Sequence, residues 1–295
     1  MHKIRVIIIG AGPAGLTTAL QLKRFGIPAL VLEGREIGGL LHNANLVENY
    51  PGFPQGVTGP KLVNLLKKQV ERIGVEILPE KAQNVEYDSG SFVAKTDQDE
   101  YRAEIAVIAS GTKARQFDNG FIPANAKSRV FYEVRDLLEI TDKEIIIVGA
   151  GDAAFDYALN LGQRNQVKIL NRGRGIKALG LLVERSQQNE NIAYLEDAQL
   201  KEVTVSENEC LTVKVVHREK LEILEADYLI GALGREPNLD FLGECIQKTE
   251  RKLVDSGILY FIGDVRNGIY RQTAIAAGDG LRAAMQIDQR FKENR

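Results

Sequence analysis

The sequence predicts an α/β protein built from two Rossmann-like dinucleotide-binding domains. Two observations carry that expectation. A strand, glycine turn, helix and strand open the chain, with Gly10 to Gly15 reading G-A-G-P-A-G. The same pattern returns about 140 residues later, with Gly149 to Ala154 reading G-A-G-D-A-A. The strands leading into the turns, Lys3 to Ile9 and Glu144 to Val148, are near-continuous apolar runs, as expected of parallel strands covered on both faces. One dinucleotide needs one such turn, so two turns imply two nucleotide sites.

The remaining elements follow in order. Leu16 to Phe25 has helical spacing, with Lys23 and Arg24 turned outward, and Gly26 stops it. Pro28 to Leu32 is the next strand and ends at Glu33. In the second unit, Phe155 to Leu161 reads as helix and Val167 to Leu170 as strand. Near the end, the strand Leu259 to Ile262 is followed by Gly263-Asp264, and Thr273 to Phe291 is an alanine-rich helix. Two loops, Gly111 to Asn119 and Gly234 to Asp240, are placed to carry the chain between domains. The expected organisation is a discontinuous domain over 1–112 plus 238–295, with a second domain inserted at 113–237.

Composition narrows the function classes. Of 295 residues, 44% are apolar and 26% charged, the balance of a globular chain. The formal net charge of -2 argues against phosphate neutralisation, so no nucleic-acid partner is expected. Cys210 and Cys245 are the two cysteines, too far apart for a local C-x-x-C or zinc motif. His2, His42 and His217 are scattered, and no metal site is expected. His42, after the glycines at 38 and 39, reads as a polar loop residue, with donation to a bound ring as the other option. The first apolar run, Val6 to Ile9, is far too short to span a membrane and leads into glycines, so neither a membrane span nor a signal peptide is expected, and the protein is expected in the cytoplasm.

Each turn has a chemical reading. Gly10 permits the tight bend, Gly12 lets a pyrophosphate approach the backbone, and Gly15 lets helix and strand pack closely. Pro13 and Ala14 open the helix whose free N–H groups and dipole hold phosphate. Glu33, about 18 residues past the turn, is placed to accept hydrogen bonds from an adenosine ribose. The second turn offers Gly149, Gly151, Asp152 and Ala153, with Ala154 in the third glycine's place. The strand after it ends in Asn171-Arg172-Gly173-Arg174, with Lys177 further on. No carboxylate stands there to chelate a ribose diol, whereas arginines suit a 2′-phosphate. The implied nucleotide is NADPH, with NADH the second candidate and a solvated basic loop the plain structural alternative.

Further motifs carry a resemblance. Ile37-Gly38-Gly39-Leu40, Val47 to Gly52 (V-E-N-Y-P-G), Ala109 to Thr112, Arg235 to Asn238, Phe261 to Asp264, and Tyr270 to Thr273 running into Ala276 to Gly280 together resemble low-molecular-weight thioredoxin reductase over essentially the whole chain. The resemblance implies an FAD domain interrupted by an NADPH domain, and a homodimer. It places Gly38, Gly39, Asn49, Gly263, Asp264, Arg271 and Gln272 along the FAD, with the helix after Gln272 stabilising negative charge on the reduced ring. The family's nucleotide loop reads His-Arg-Arg followed by Arg-Ala. Here it reads Asn171-Arg172-Gly173 followed by Lys177-Ala178.

The chain departs from that family at its chemical centre. The family's C-x-x-C and following Asp correspond to Tyr132-Glu133-Val134-Arg135 and Asp136. The Phe131-Tyr132-x-Val134 run is similar to ferredoxin–NADP reductases of the thioredoxin-reductase type. The resulting expectation is an FAD-dependent NAD(P)H oxidoreductase without a redox dithiol, passing electrons to a small electron-transfer protein such as ferredoxin or flavodoxin. Tyr132 and Asp136 are candidate flavin-side contacts. An atypical disulfide reductase, ferredoxin-fed for example, and a non-catalytic flavin or nucleotide sensor are the alternatives.

Overall fold

The computed structural model describes residues 2–293. The chain divides into two compact units. One holds the residues up to His42, Leu46–Lys113 and those from Pro237 onward; the other holds Asn43–Asn45 and Ala114–Glu236. The expected division differs mainly at residues 43–45. Asn43 donates from Nδ2 to Glu133 at 2.6 Å and accepts the Arg135 N–H at 3.2 Å, and the Asn45 N–H is donated to Asp156 at 3.1 Å.

In chain order the first unit contains β1 (His2–Ile9), α1 (Pro13–Arg24), β2 (Ala29–Leu32), α2 (Gly59–Arg72), β3 (Glu76–Leu78), β4 (Asn84–Asp88), β5 (Ser91–Lys95), β6 (Glu100–Ile108) and β7 (Thr112–Ala114). The second contains β8 (Val130–Phe131), β9 (Glu144–Val148), α3 (Asp152–Leu161), β10 (Gln166–Leu170), α4 (Gly180–Gln187), β11 (Ile192–Leu195), β12 (Ala198–Val205), β13 (Leu211–His217), β14 (Lys220–Ala226) and β15 (Tyr228–Gly231). The chain returns through β16 (Arg235–Pro237), then α5 (Glu244–Asp255), β17 (Leu259–Phe261) and α6 (Thr273–Glu293). The two crossings, β7 and β16, pair with each other.

The first unit's sheet runs β3-β2-β1-β6-β5-β4. Strand β6 is long enough to serve two partners on one edge. Its first half pairs antiparallel with β5, and its last three residues pair parallel with β17. Alternation along β1 sends Val6 and Ile8 into one core with Leu16, Leu22 and Ile287, and Ile7 and Ile9 into another with Leu30, Phe92 and Leu259. A strand buried on both faces has no polar positions, which is why the run reads as unbroken apolar sequence. The second unit repeats the plan with an all-parallel sheet, β11-β10-β9-β15-β8. Ile145 and Ile147 face α3, while Ile146 faces the core under the antiparallel sheet β12-β13-β14.

Helix α6 buries Ala276, Gly280, Ala283, Ala284, Ile287 and Phe291 along one stripe. It packs on α1 so closely that a Cβ at Gly280 would press on the Ala14 carbonyl oxygen and lie 3.0 Å from Thr18 Oγ1. The fully buried Thr18 hydroxyl lies within hydrogen-bond distance of both the Ala14 and Gly280 carbonyls, at 2.9 and 3.2 Å. Gly280→Val should therefore destabilise the protein by about 1–3 kcal/mol, the usual cost of overpacking. Thermal unfolding of the two proteins measures it, and an unchanged melting temperature would contradict the close packing.

Candidate dinucleotide sites

In the first unit, β1 delivers the chain into a turn that glycine makes possible. Gly10 has φ of +107°, and a Cβ there would collide with the Ala109 backbone. Its N–H reaches the Leu32 carbonyl at 2.8 Å, which ties the turn to the end of β2. A Cβ at Gly12 would meet nothing within 4 Å. That open side, ahead of the unpaired N–H groups of the first turn of α1, is a cradle that fits a pyrophosphate. Pro13 costs the helix no hydrogen bond at its first position. Ala14 is buried, and its methyl lies 2.9 Å from where a Cβ on Gly263 would stand, so its side chain packs and its backbone faces the cradle's helix end.

Glu33 stands at the end of β2. Its Oε2 accepts the Ala11 N–H at 2.7 Å and its Oε1 the Arg35 N–H at 2.9 Å. A carboxylate has about four lone-pair sites, so the fixed group keeps acceptors for ribose hydroxyls. The segment after it folds back over the turn: Gly38 N–H donates to the Ala11 carbonyl at 2.8 Å, and Gly39 lies against Gly12. His42 Nε2 sits 2.9 Å from the Ile37 carbonyl and so braces this loop.

The late motifs join the same unit. Asn49 donates from Nδ2 to Gln272 Oε1 at 2.6 Å, bringing together two expected FAD contacts 223 positions apart. Arg271 and Gln272 immediately precede α6, and the Gln272 carbonyl accepts the Ala276 N–H at 2.9 Å. Gly263-Asp264 is held by a residue given no role in the sequence reading: Asp279 Oδ2 accepts the Gly263 N–H at 3.2 Å and an Asn267 Nδ2–H at 2.7 Å.

The second unit builds the same cradle. Gly149 N–H reaches the Leu170 carbonyl at 3.0 Å, as Gly10 reaches Leu32, and a Cβ at Gly151 would again meet nothing within 4 Å. Ala154 is fully buried in the third glycine's place. Asp152 opens α3 and accepts the Leu179 N–H at 2.8 Å; Ala153 beside it is exposed. Lys177 is exposed, and its N–H ties it to the Ala150 carbonyl at 3.0 Å. Arg172 is exposed as well. Asn171 differs from the expectation of a direct contact. It is buried, its Oδ1 accepts the Gly173 N–H at 3.2 Å, and its Nδ2 serves the Gly175 carbonyl and Tyr194 hydroxyl at 3.1 and 2.8 Å. Its side chain folds the loop that carries Arg172.

The stretch from Tyr132 to Asp136 is packed into the second unit. The Tyr132 ring lies 5.8 Å from that of Phe117, covers Gly231, and its hydroxyl accepts the Phe117 N–H at 3.3 Å. Val134 is fully buried. Asp136 is exposed, 3.4 Å from Arg135 Nε. Between them, Glu133 pairs with Arg235 at 2.7 Å and accepts from Asn43 at 2.6 Å and the Tyr157 hydroxyl at 3.2 Å. Burial, reinforced by the Glu133 charge, raises the Tyr157 pKa well above its ordinary value. The two cysteines are free thiols, Cys210 partly exposed and Cys245 exposed. Among the described residues no cluster of His, Cys, Asp or Glu could hold a metal ion, and no helix is long and apolar enough to cross a membrane.

Known proteins share both the sequence pattern and the fold. The family described as pyridine nucleotide-disulphide oxidoreductase matches residues 4–280. The chain is similar to thioredoxin reductases of Chlamydia pneumoniae, 29% identical over 97% of this chain and 98% of the relative, and of Rickettsia conorii, 30% identical over 97% of each. Among solved structures, thioredoxin reductase from Lactococcus lactis superposes with a TM-score of 0.85 at 26% identity, covering 98% of this chain and 99% of that one. Bacillithiol disulfide reductase from Bacillus cereus shares the fold, with a TM-score of 0.78 at 20% identity over 98% of this chain and 100% of that one.

Asp279 and Asp156 can each be tested by substitution. Asp279→Ala should release the Gly263 turn and lower FAD retention, read as flavin absorbance per protein after gel filtration, while leaving the fold intact by circular dichroism. Asp156 is mostly buried on α3, and that burial first, with Asp152 adding to it, raises its pKa from 3.8 to about 6 against the Asn45 N–H. A carboxyl raised on folding favours the native state while protonated, so its contribution is full below pH 3.8 and is lost as pH rises through about 6. Asp156→Asn keeps the acceptor oxygen and should raise stability at pH 7 by about 2–3 kcal/mol, flattening the pH dependence across that window. Denaturant titrations at several pH values check this.

Proposed function

The chain belongs to the pyridine nucleotide-disulphide oxidoreductase family, and from that premise we propose that it passes electrons from NADPH through FAD to an acceptor protein without a redox dithiol of its own. It is an FAD-dependent NADPH oxidoreductase. The finer reading, a small electron-transfer acceptor such as ferredoxin or flavodoxin, rests on one observation. Tyr132 and Arg135 stand where relatives of the resembled type carry cysteines, and Glu133 between them is bound into a polar cluster. A disulfide reductase of unusual design is the second reading. It is favoured by the names of the two relatives, thioredoxin reductases at 29% and 30% identity.

The open sides of Gly12 and Gly151 fit two pyrophosphates, so the residues present suit both groups. Bound FAD would supply the chemistry that takes two electrons from the nicotinamide and releases them one at a time to a ferredoxin or flavodoxin. The chain's residues would do the holding. The first turn of α1 would take the FAD pyrophosphate and Glu33 its ribose. Asn49, Asp264 and Gln272 would line the remainder, and Arg271 would lead into the start of α6, whose N-terminal dipole favours negative charge. Gly151 and the start of α3 would take the NADPH pyrophosphate, with Arg172 and Lys177 near its 2′-phosphate. The reading includes a cytoplasmic homodimer; exposed Ile269, Tyr270, Leu281 and Met285 supply apolar surface for a second copy.

The test is steady-state turnover with NADPH and, in turn, ferredoxin, flavodoxin, a quinone and thioredoxin. The Cys210→Ala, Cys245→Ala double variant should keep the parent's rates, and thioredoxin should be a poor acceptor. Robust thioredoxin reduction that disappears in the double variant would establish the second reading instead.

A further inference from the structure

The loop after β10 holds an arginine that the pattern of the resembled family does not use. That pattern, His-Arg-Arg followed by Arg, leaves Arg172 and Lys177 as aligned cations, with Gly173 in place of an arginine. Arg174 follows one position later. Its side chain is 83% exposed, yet it is held at one atom: Nε donates to Asp197 Oδ2 at 2.6 Å. A guanidinium carries five N–H donors; with Nε on Asp197, the one Nη–H on that same edge faces the same side, and the other three Nη donors point elsewhere.

Asp197 is built into the loop's support. It lies in the turn between β11 and β12 with φ of +51°, a left-handed conformation uncommon for a residue with a side chain. From there its N–H donates to the Gly173 carbonyl at 3.1 Å, and the next N–H, of Ala198, donates to the Asn171 carbonyl at 2.8 Å. Asn171 closes the same loop from inside through Gly173 and Gly175. The turn and the loop therefore move as one piece, and the carboxylate is fixed relative to the backbone that carries Arg174. The neighbouring acid is occupied too: Glu196 lies 3.4 Å from Arg218 Nη2.

We propose that Arg174, aimed by Asp197, is a second arginine of the 2′-phosphate site and replaces the cation lost at Gly173. Asp197 is a positioning residue. An exposed ion pair of this kind adds little stability by itself, but it narrows the rotamers of a long side chain before the ligand arrives, and a planar fork so oriented suits a phosphomonoester dianion. The inference rests on the reading of this loop as the NADPH phosphate site.

The experiment measures binding by calorimetry on the FAD-loaded full chain, with adenosine 2′,5′-bisphosphate and adenosine 5′-monophosphate as probes. The parent should prefer the bisphosphate, and Arg172→Ala should reduce that preference. Arg174→Ala should weaken bisphosphate binding on the order of tenfold or more, the scale of a charged hydrogen bond, and leave monophosphate binding within about twofold. Arg174→Lys should recover only part, because a point charge lacks the fork. Asp197→Ala should weaken bisphosphate binding by less than Arg174→Ala, with an unchanged circular dichroism spectrum. A parent that does not prefer the bisphosphate would overturn the phosphate-loop reading itself. A parent that prefers it, with Arg174→Ala unaffected or with Asp197→Ala binding more tightly, would overturn the role given to Arg174 and Asp197 while leaving the loop reading in place.

Discussion

How closely a helix can approach the strands it follows sets the rest of the first unit. The first turn of α1 sits against Gly10 on one side and against α6 at Gly280 on the other, and both approaches exclude a Cβ. Ala14 lies at the centre, touching both Gly263 and Gly280. Because these contacts fix α1 relative to β1 and α6, the N–H groups at its start point at one place. The glycines that remain open, such as Gly12, then define where a ligand backbone can come near. The space open to an anion there is a by-product of packing density. The helix end must be left without side chains on one face so that it can pack on the other.

The second unit meets the same requirement with different residues. Ala154, on α3 itself, stands in the third position with its methyl packed in the core, whereas Gly149 remains obligatory against the Ala232 backbone. The polar end of β10 is organised from within by Asn171, whose side chain bonds to its own loop and to Tyr194. Exposed cations are thereby carried on a backbone fixed by buried amides. This arrangement separates the rigidity of the site from its charge, and either can change in sequence without the other.

The sequence made the backbone features of both sites legible because glycine requirements are local. Gly10, Gly12 and Gly15 must follow a strand and precede a helix, and Glu33 must end the next strand. Each of those conditions lies within a few dozen residues. The side-chain constellations were not legible in the same way. Asp279 acts on Gly263 from the facing turn of α6, and nothing in an Ala-Ala-Gly-Asp-Gly run distinguishes a loop-bracing acid from a solvated one. Glu133 meets Arg235 from 102 positions away, and an isolated acid and base carry no periodicity. Asn171 looked like a ligand because strand-end polar residues often are; its burial, which decides the matter, exists only once Tyr194 is beside it.

The polar cluster at Glu133 ties the segment from Tyr132 to Arg135 into one set of mutually dependent side chains. A largely buried carboxylate is tolerated when donors surround it, and Glu133 has Arg235, Asn43 and Tyr157. Breaking such a pair leaves a charge uncompensated and costs several kcal/mol, about 3–5 when one partner is removed. Tyr132 is committed as well, since its ring fills the space over Gly231 and beside Phe117, and a cysteine there would leave a cavity. Cysteines at 132 and 135 would thus sit on a segment whose conformation is set by the glutamate between them and by an aromatic ring they had removed. Replacing Tyr132 or Arg135 would disturb that whole set of side chains, the partners of Glu133 included.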